Sequence, residues 1–136
     1  MDEMLKTLQV SAGGMRAQGT RLRIISENIA NANTLPQSPD QAPYQRQVVS
    51  FRTVLDREIG ANSIEVSRIS RDPAPFSRTY DPSHPGADAA GYVRTPNVNS
   101  LIEMTDMREA QRSYEANLNL IRTSKAMLQE TIDVLR

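Results

Sequence analysis

Apolar residues recur at alternating spacings of three and four at both ends of the chain, and not between them. At the front the stripe runs Met1, Met4, Leu8, Ser11, Met15, Gln18, Leu22, Ile25, Ile29 and Ala32, broken only by Ser11 and Gln18. At the back it runs Met104, Met107, Gln111, Tyr114, Leu118, Ile121, Lys125, Leu128, Ile132 and Leu135, broken by Gln111 and Lys125. A strict seven-residue repeat held in two separate segments predicts two long helices packed as a coiled coil.

Proline placement agrees. All eight prolines lie between Pro36 and Pro96, so each flank is free to be one continuous helix and the middle is not. Residue 35 precedes Pro36 and is pushed out of helical geometry. Ser100-Leu101-Ile102-Glu103 fits a capping box at the second helix start, with Asn97 and Asn99 as competing caps. The middle reads as short strands at Gln47–Phe51, Ile64–Val66, Phe76/Arg78/Tyr80 and Gly91–Val93, separated by turns such as Asp72-Pro73, Asp81-Pro82 and His84-Pro85-Gly86. Residues 35–43 read as an open loop. The expected fold is therefore mainly α. It has an N-terminal helix over 1–35, a loop and β-rich hairpin insertion over 36–96, and a C-terminal helix over 97–136. The insertion returns the chain, so the two helices are expected to pack as an antiparallel coiled coil. That register sets Ala32 near Met104, Ile25 near Gln111 and Ser11 near Lys125.

The residues beside the stripes change this picture. A two-stranded coiled coil usually carries charges there. The first helix instead has Leu5, Ala12, Gly19, Ser26, Thr7, Gly14, Arg21 and Asn28, and one flank of the second has Ala110, Asn117, Ser124 and Thr131. Small, neutral flanks let further helices approach on either side. Gly13-Gly14 inside a helix costs about 1 kcal/mol per glycine against alanine, so the pair marks a kink or a close neighbour. Five of the six methionines fall on the stripes, where core packing explains them better than metal binding.

Sixteen basic residues balance sixteen acidic ones, and no third of the chain departs far from balance. No segment has the excess that a nucleic-acid backbone or an anionic membrane demands. The chain lacks Cys, which removes thiol catalysis and disulfides, and lacks Trp, so its core depends on aliphatic and Met contacts. The start Met1-Asp2-Glu3-Met4-Leu5-Lys6 does not read as a cleavable secretory signal, and no stretch is apolar enough to span a membrane. His84, with Asp81 and Asp88 nearby, is the one candidate metal group. Its setting between prolines in a turn favours a structural role. Glu103 and Asp106 suit the dipole of a helix's first turn better than paired acid–base work. No nucleophile, phosphate loop, cofactor or metal set is recognisable, and no enzyme activity is expected.

The ends carry one more signal. Ser26-Glu27-Asn28-Ile29-Ala30-Asn31-Ala32-Asn33-Thr34, with Ser11-Ala12-Gly13-Gly14-Met15, Gln18 and Arg21-Leu22 upstream, resembles the N-terminal signature of the flagellar rod and hook family of axial proteins. The stretches Asp81–Asp88, Gly91-Tyr92-Val93 with Pro96-Asn97-Val98-Asn99, and Glu103-Met104 through Arg112–Asn117, with Tyr44-Gln45-Arg46 and Phe51, are similar to the proximal-rod members of that family. The resemblance implies a bacterial flagellar basal-body rod subunit, exported uncleaved through the flagellar type III apparatus and assembled in the periplasm. It implies helical assembly with copies of itself and other rod proteins, forming a torque-transmitting shaft and the export channel wall. The interface residues expected are Met4, Leu8, Met15, Leu22, Ile25, Asn28, Ile29, Asn31, Ala32, Asn33, Met104, Met107, Tyr114, Asn117, Leu118, Ile121, Leu128, Ile132 and Leu135. Asn28, Asn31 and Asn33 either bond across packed helices or close the helix end. The competing reading from composition alone is a soluble coiled-coil adaptor or export-related module.

Overall fold

The computed structural model describes residues 2–136, so Met1, the first stripe position, lies outside the described residues. Helix α1 spans Asp2–Ala30, strands β1 to β4 span Gln47–Asp56, Ala61–Arg71, Ser77–Tyr80 and Tyr92–Thr95, and helix α2 spans Ser100–Val134. β1 pairs with β2 and β3 pairs with β4, giving two separate two-stranded sheets. Helix α1 ends before residue 35 because its last turn is closed by asparagine. Asn31 donates from its backbone N–H to Glu27 O at 3.1 Å and from Nδ2 to the same oxygen at 2.8 Å. At the start of α2 the cap is Asn99, whose Oδ1 accepts from Leu101 N at 3.1 Å, and the Ser100–Glu103 capping box does not form.

The expectation of a mainly α chain is corrected. Helix accounts for 47% of residues and strand for 21%, a helix–strand–helix arrangement with two small sheets rather than a helical pair with a minor insertion. The antiparallel coiled coil read from the stripes is also not what the structure shows. On α2 the inward positions are Glu103, Ala110 and Ser124, all 5% exposed or less, with half-buried Asn117 between them. Each lies one residue before a stripe position, about 100° away around the helix. The stripe residues Met104, Ile132 and Leu135 are exposed at 49%, 42% and 75%. The flanking positions are the most deeply buried on α2, with the stripe residues Met107, Tyr114, Leu118, Ile121 and Leu128 only half-buried beside them.

The chain divides into two compact units. The first takes α1 up to Leu22, Val49–Arg68 of the first hairpin, and Arg108–Arg136. Its packing explains why the stripe does not govern. The β1–β2 hairpin occupies one side of α1, where a Cβ on Gly13 would stand 2.5 Å from Ser63 Oγ. Helix α2 occupies another, where a Cβ on Gly14 would stand 3.0 Å from Asn117 Nδ2. Each glycine faces a different neighbour, at a distance that forces Ser63 to shift for a Cβ on Gly13 and leaves Asn117 tight against one on Gly14. Arg21 pairs with Glu109 at 3.6 Å. The expected register would set Gly19 opposite Asn117, so it too is corrected. With the hairpin on one side and α2 on another, α1 buries Ser11, Ala17 and Gly13 rather than a single leucine–methionine seam.

The second unit takes Arg23–Val48 and Ile69–Met107. Its apolar core is Ile24, Ile25 and Val93. In its sheet Ser77, Arg78, Thr79 and Tyr80 face Thr95, Arg94, Val93 and Tyr92 in antiparallel register. Gly91 has φ +86°, and the Tyr80 ring lies 2.9 Å from where its Cβ would be. His84 sits in the preceding turn, where its Nδ1 accepts from Gly86 N at 2.9 Å.

Candidate functional site

Polar side chains fill the centre of the second unit. Asn28, 1% exposed on the last turns of α1, satisfies its whole hydrogen-bonding capacity. Its Nδ2 donates to Gln47 O at 2.9 Å and to Glu103 Oε2 at 3.3 Å. Its Oδ1 accepts from Tyr44 Oη at 2.7 Å and from Gln47 N at 3.0 Å. The amide therefore meets both backbone groups of Gln47, as a neighbouring strand would, and fixes where β1 begins.

Arg46, one residue earlier, gathers three carboxylates. Its Nε donates to Glu103, its Nη1 to Asp72 at 3.1 Å, and its Nη2 lies 3.5 Å from Asp106. Glu103 is 1% exposed, so Arg46 and Asn28 replace its lost hydration. Asn97 completes the cluster. Its Oδ1 accepts from Arg46 N at 2.7 Å, and its Nδ2 donates to the carbonyls of Asp72 and Ala74 at 3.0 Å. Burial works against the charge on Arg46, but the hydrogen bond and charge of Glu103, and then Asp72, raise its pKa above the usual value. The backbone N–H of Ala74, with Arg46 behind it, holds the Asp72 carboxyl below 3.8 despite some burial. Burial, then the charges of Glu27 and Glu103, push the Tyr44 phenol above 10.0, which keeps its proton for Asn28. The cluster ties a loop, a strand start and two helix segments together.

The residues expected at interfaces fall into three groups. Ile25 and Asn28 are buried within the chain. Met4, Leu8, Met15, Leu22, Ile29, Asn31, Ala32, Met107, Tyr114, Asn117, Leu118, Ile121 and Leu128 are half-buried. Asn33, Met104, Ile132 and Leu135 are exposed. Among the three asparagines, Asn28 bonds across to a strand and to α2, whereas Asn31 closes its own helix. Sequence reading did not join the residues around Arg46 into a cluster: Tyr44 and Arg46 entered only through the family resemblance, Asp72 as a turn residue, Asn97 as a competing cap, and Glu103 through the capping box and the helix dipole. The available signal was Tyr44-Gln45-Arg46 set directly before a strand, but nothing local pairs Arg46 with acids in distant segments.

No helix of the described residues is long and apolar enough to cross a membrane. A satisfied polar centre, with a second helix that turns Ala110 and Ser124 inward and leaves large apolar side chains exposed, defines a structural class with an interaction-type surface. Comparison with known proteins gives the class its name. Residues 8–35 match the family described as flagella basal body rod protein, and residues 89–134 match the C-terminal region of the flagellar basal body rod FlgEFG proteins. The chain is 45% identical to the flagellar basal-body rod protein FlgC of Agrobacterium fabrum, over 100% of this chain and 98% of that one. It is 36% identical to the FlgC of Borreliella burgdorferi, over 98% of each chain, and 35% identical to that of Bacillus subtilis, over 94% of this chain and 95% of that one. The chain belongs to the flagellar basal-body rod protein FlgC family, a family of structural proteins.

Proposed function

We propose that the chain is a non-enzymatic subunit of the proximal rod of the bacterial flagellum. It assembles helically in the periplasm with copies of itself and with other rod proteins, after passing through the flagellar type III export apparatus. The assembled shaft transmits motor torque and walls the export channel. Full-length similarity to rod proteins supports this, but the observation that carries it lies on α2. Leu101, Ile102, Leu120, Met127, Val134 and Leu135 are between 46% and 85% exposed, while Ala110 and Ser124 face inward. A monomer rarely leaves so many large apolar side chains on one element in water. Of the residues expected from the repeat, Leu135 is already in this outward set, Met104 and Ile132 join it, and half-buried Leu118 and Leu128 are also on α2.

The test is Leu120→Asp with Met127→Asp in the full chain, expressed in a flagellated bacterium lacking its own copy. Circular dichroism of the purified variant should match the parent, while basal bodies isolated from those cells should end before the distal rod and swimming should stop. Complete rods and normal swimming with both substitutions would overturn the reading.

A further inference from the structure

One face of the β3–β4 sheet is built differently from the rest of the surface. The strands alternate, so Phe76, Arg78 and Tyr80 share a side with Tyr92 and Arg94, while Ser77, Thr79, Val93 and Thr95 take the other. Val93, at 1% exposure, marks the inner side. The outer side is made only of aromatic rings and guanidinium groups.

Arg78 and Arg94 are direct cross-strand partners. Like charges placed opposite one another destabilise an antiparallel pair. Each guanidinium instead lies over a ring, Arg78 at 5.5 Å from the centre of Tyr92 and Arg94 at 6.0 Å from that of Phe76. Arg94 also donates to Gln41 O at 3.2 Å. Among the described residues neither is in an ion pair, although the chain has as many acids as bases. Tyr80 and Tyr92 meet edge-on, with centroids 5.3 Å apart and planes at 66°, and remain 65% and 40% exposed.

A face serving only solubility has no use for a repulsive pair beside two exposed tyrosines. Tyrosine and arginine are the residue types that dominate the centres of protein interfaces. Stacking on rings holds the two forks in place before any partner arrives, which lowers the ordering cost of binding. Each fork matches one carboxylate in bidentate geometry. We propose that this face docks a segment of a neighbouring rod subunit carrying two or more Asp or Glu side chains. The proposal rests on the rod reading above. A glycan strand fits less well, because the tyrosine rings meet at a steep angle rather than forming a flat stacking platform, and neutral sugars leave both charges uncompensated.

The test places a photoreactive benzoylphenylalanine at position 80 of the full chain in cells that build flagella, followed by irradiation, basal-body isolation and peptide mapping. The expected cross-link joins position 80 to another subunit within a segment rich in Asp or Glu. R78E with R94E should reduce that product about tenfold or more, R78K with R94K should reduce it less, and reversing the mapped acids to Lys should restore it to the Glu variant. Circular dichroism of each variant checks that the fold is kept. With the chain present in basal bodies, cross-links only within the chain or to glycan, or a product unchanged in R78E/R94E, would overturn the docking proposal alone. A chain absent from basal bodies would overturn the rod reading, and this proposal with it.

Discussion

The two units solve burial in opposite ways. In the second, a fully buried carboxylate and a fully buried amide are met by partners from several segments, so its centre is complete within one chain. In the first, the inner face is small, with Gly13, Ala17 and Ala110, while Leu5, Leu55, Leu120, Met127, Val134 and Leu135 face water. Small inner residues give close contact but little apolar area, at about 25 cal/mol per Å². The lesson concerns where stability resides. A polar centre needs geometry and tolerates no missing partner, whereas a small-residue face needs proximity and leaves large apolar side chains exposed.

The sharpest way to break the comparison is at Arg46. Arg46→Met leaves Glu103 buried without its cation, and removing one partner of a buried pair costs about 3–5 kcal/mol. The double variant Arg46→Met with Glu103→Leu removes both charges and should recover most of that loss. Urea denaturation of the purified chain, run as a double-mutant cycle, measures both. A single-variant loss under about 1 kcal/mol would show that the polar centre is not what holds the second unit.

A smaller effect tests the first unit. Gly13→Leu forces a side chain into the space taken by Ser63, and overpacking of this kind costs about 1–3 kcal/mol. Gly19→Leu is the control, since no atom lies within 4 Å of its would-be Cβ. Thermal melts should separate the two variants, with only Gly13→Leu melting below the parent. Equal melting would mean that proximity between α1 and the hairpin contributes nothing.

The same contrast decides what was legible in the sequence. Proline partition and four strand segments could be read because each depends on local chemistry, such as the prolines that exclude helix between Pro36 and Pro96. The glycine pair could be read as a kink or a close approach because a glycine in a helix has a known cost, and the structure shows the close approach. The inner face of α2 could not, because an apolar repeat shows which residues prefer burial but not whether this chain or a neighbour buries them. Glu103 illustrates the difficulty. It lies one residue before Met104 of the stripe, and only Arg46 and Asn28, brought from distant segments, turn it inward. Buried polar clusters assembled from four segments leave no periodic trace in any one of them.

The smallest effects sharpen the comparison through pH. Asp72 has a folded pKa below its ordinary 3.8, so the stability it contributes is complete above that value and is lost as pH falls through the folded one. Tyr44 has a folded pKa above its ordinary 10.0, so its contribution is complete below that value and is lost as pH rises through the folded one. Between about pH 5 and about pH 9 both are in place. The stability gap between the parent and Asp72→Asn should therefore stay constant across that window and narrow in acid. The gap between the parent and Tyr44→Phe should narrow only in alkali. Melting temperatures followed by circular dichroism across pH measure both gaps. Because both groups belong to the second unit, Gly13→Leu should instead shift the curve by the same amount at every pH from acid to alkali. A Gly13→Leu gap that narrows in acid as the Asp72 gap does would mean that the two units do not differ in how their interiors are held.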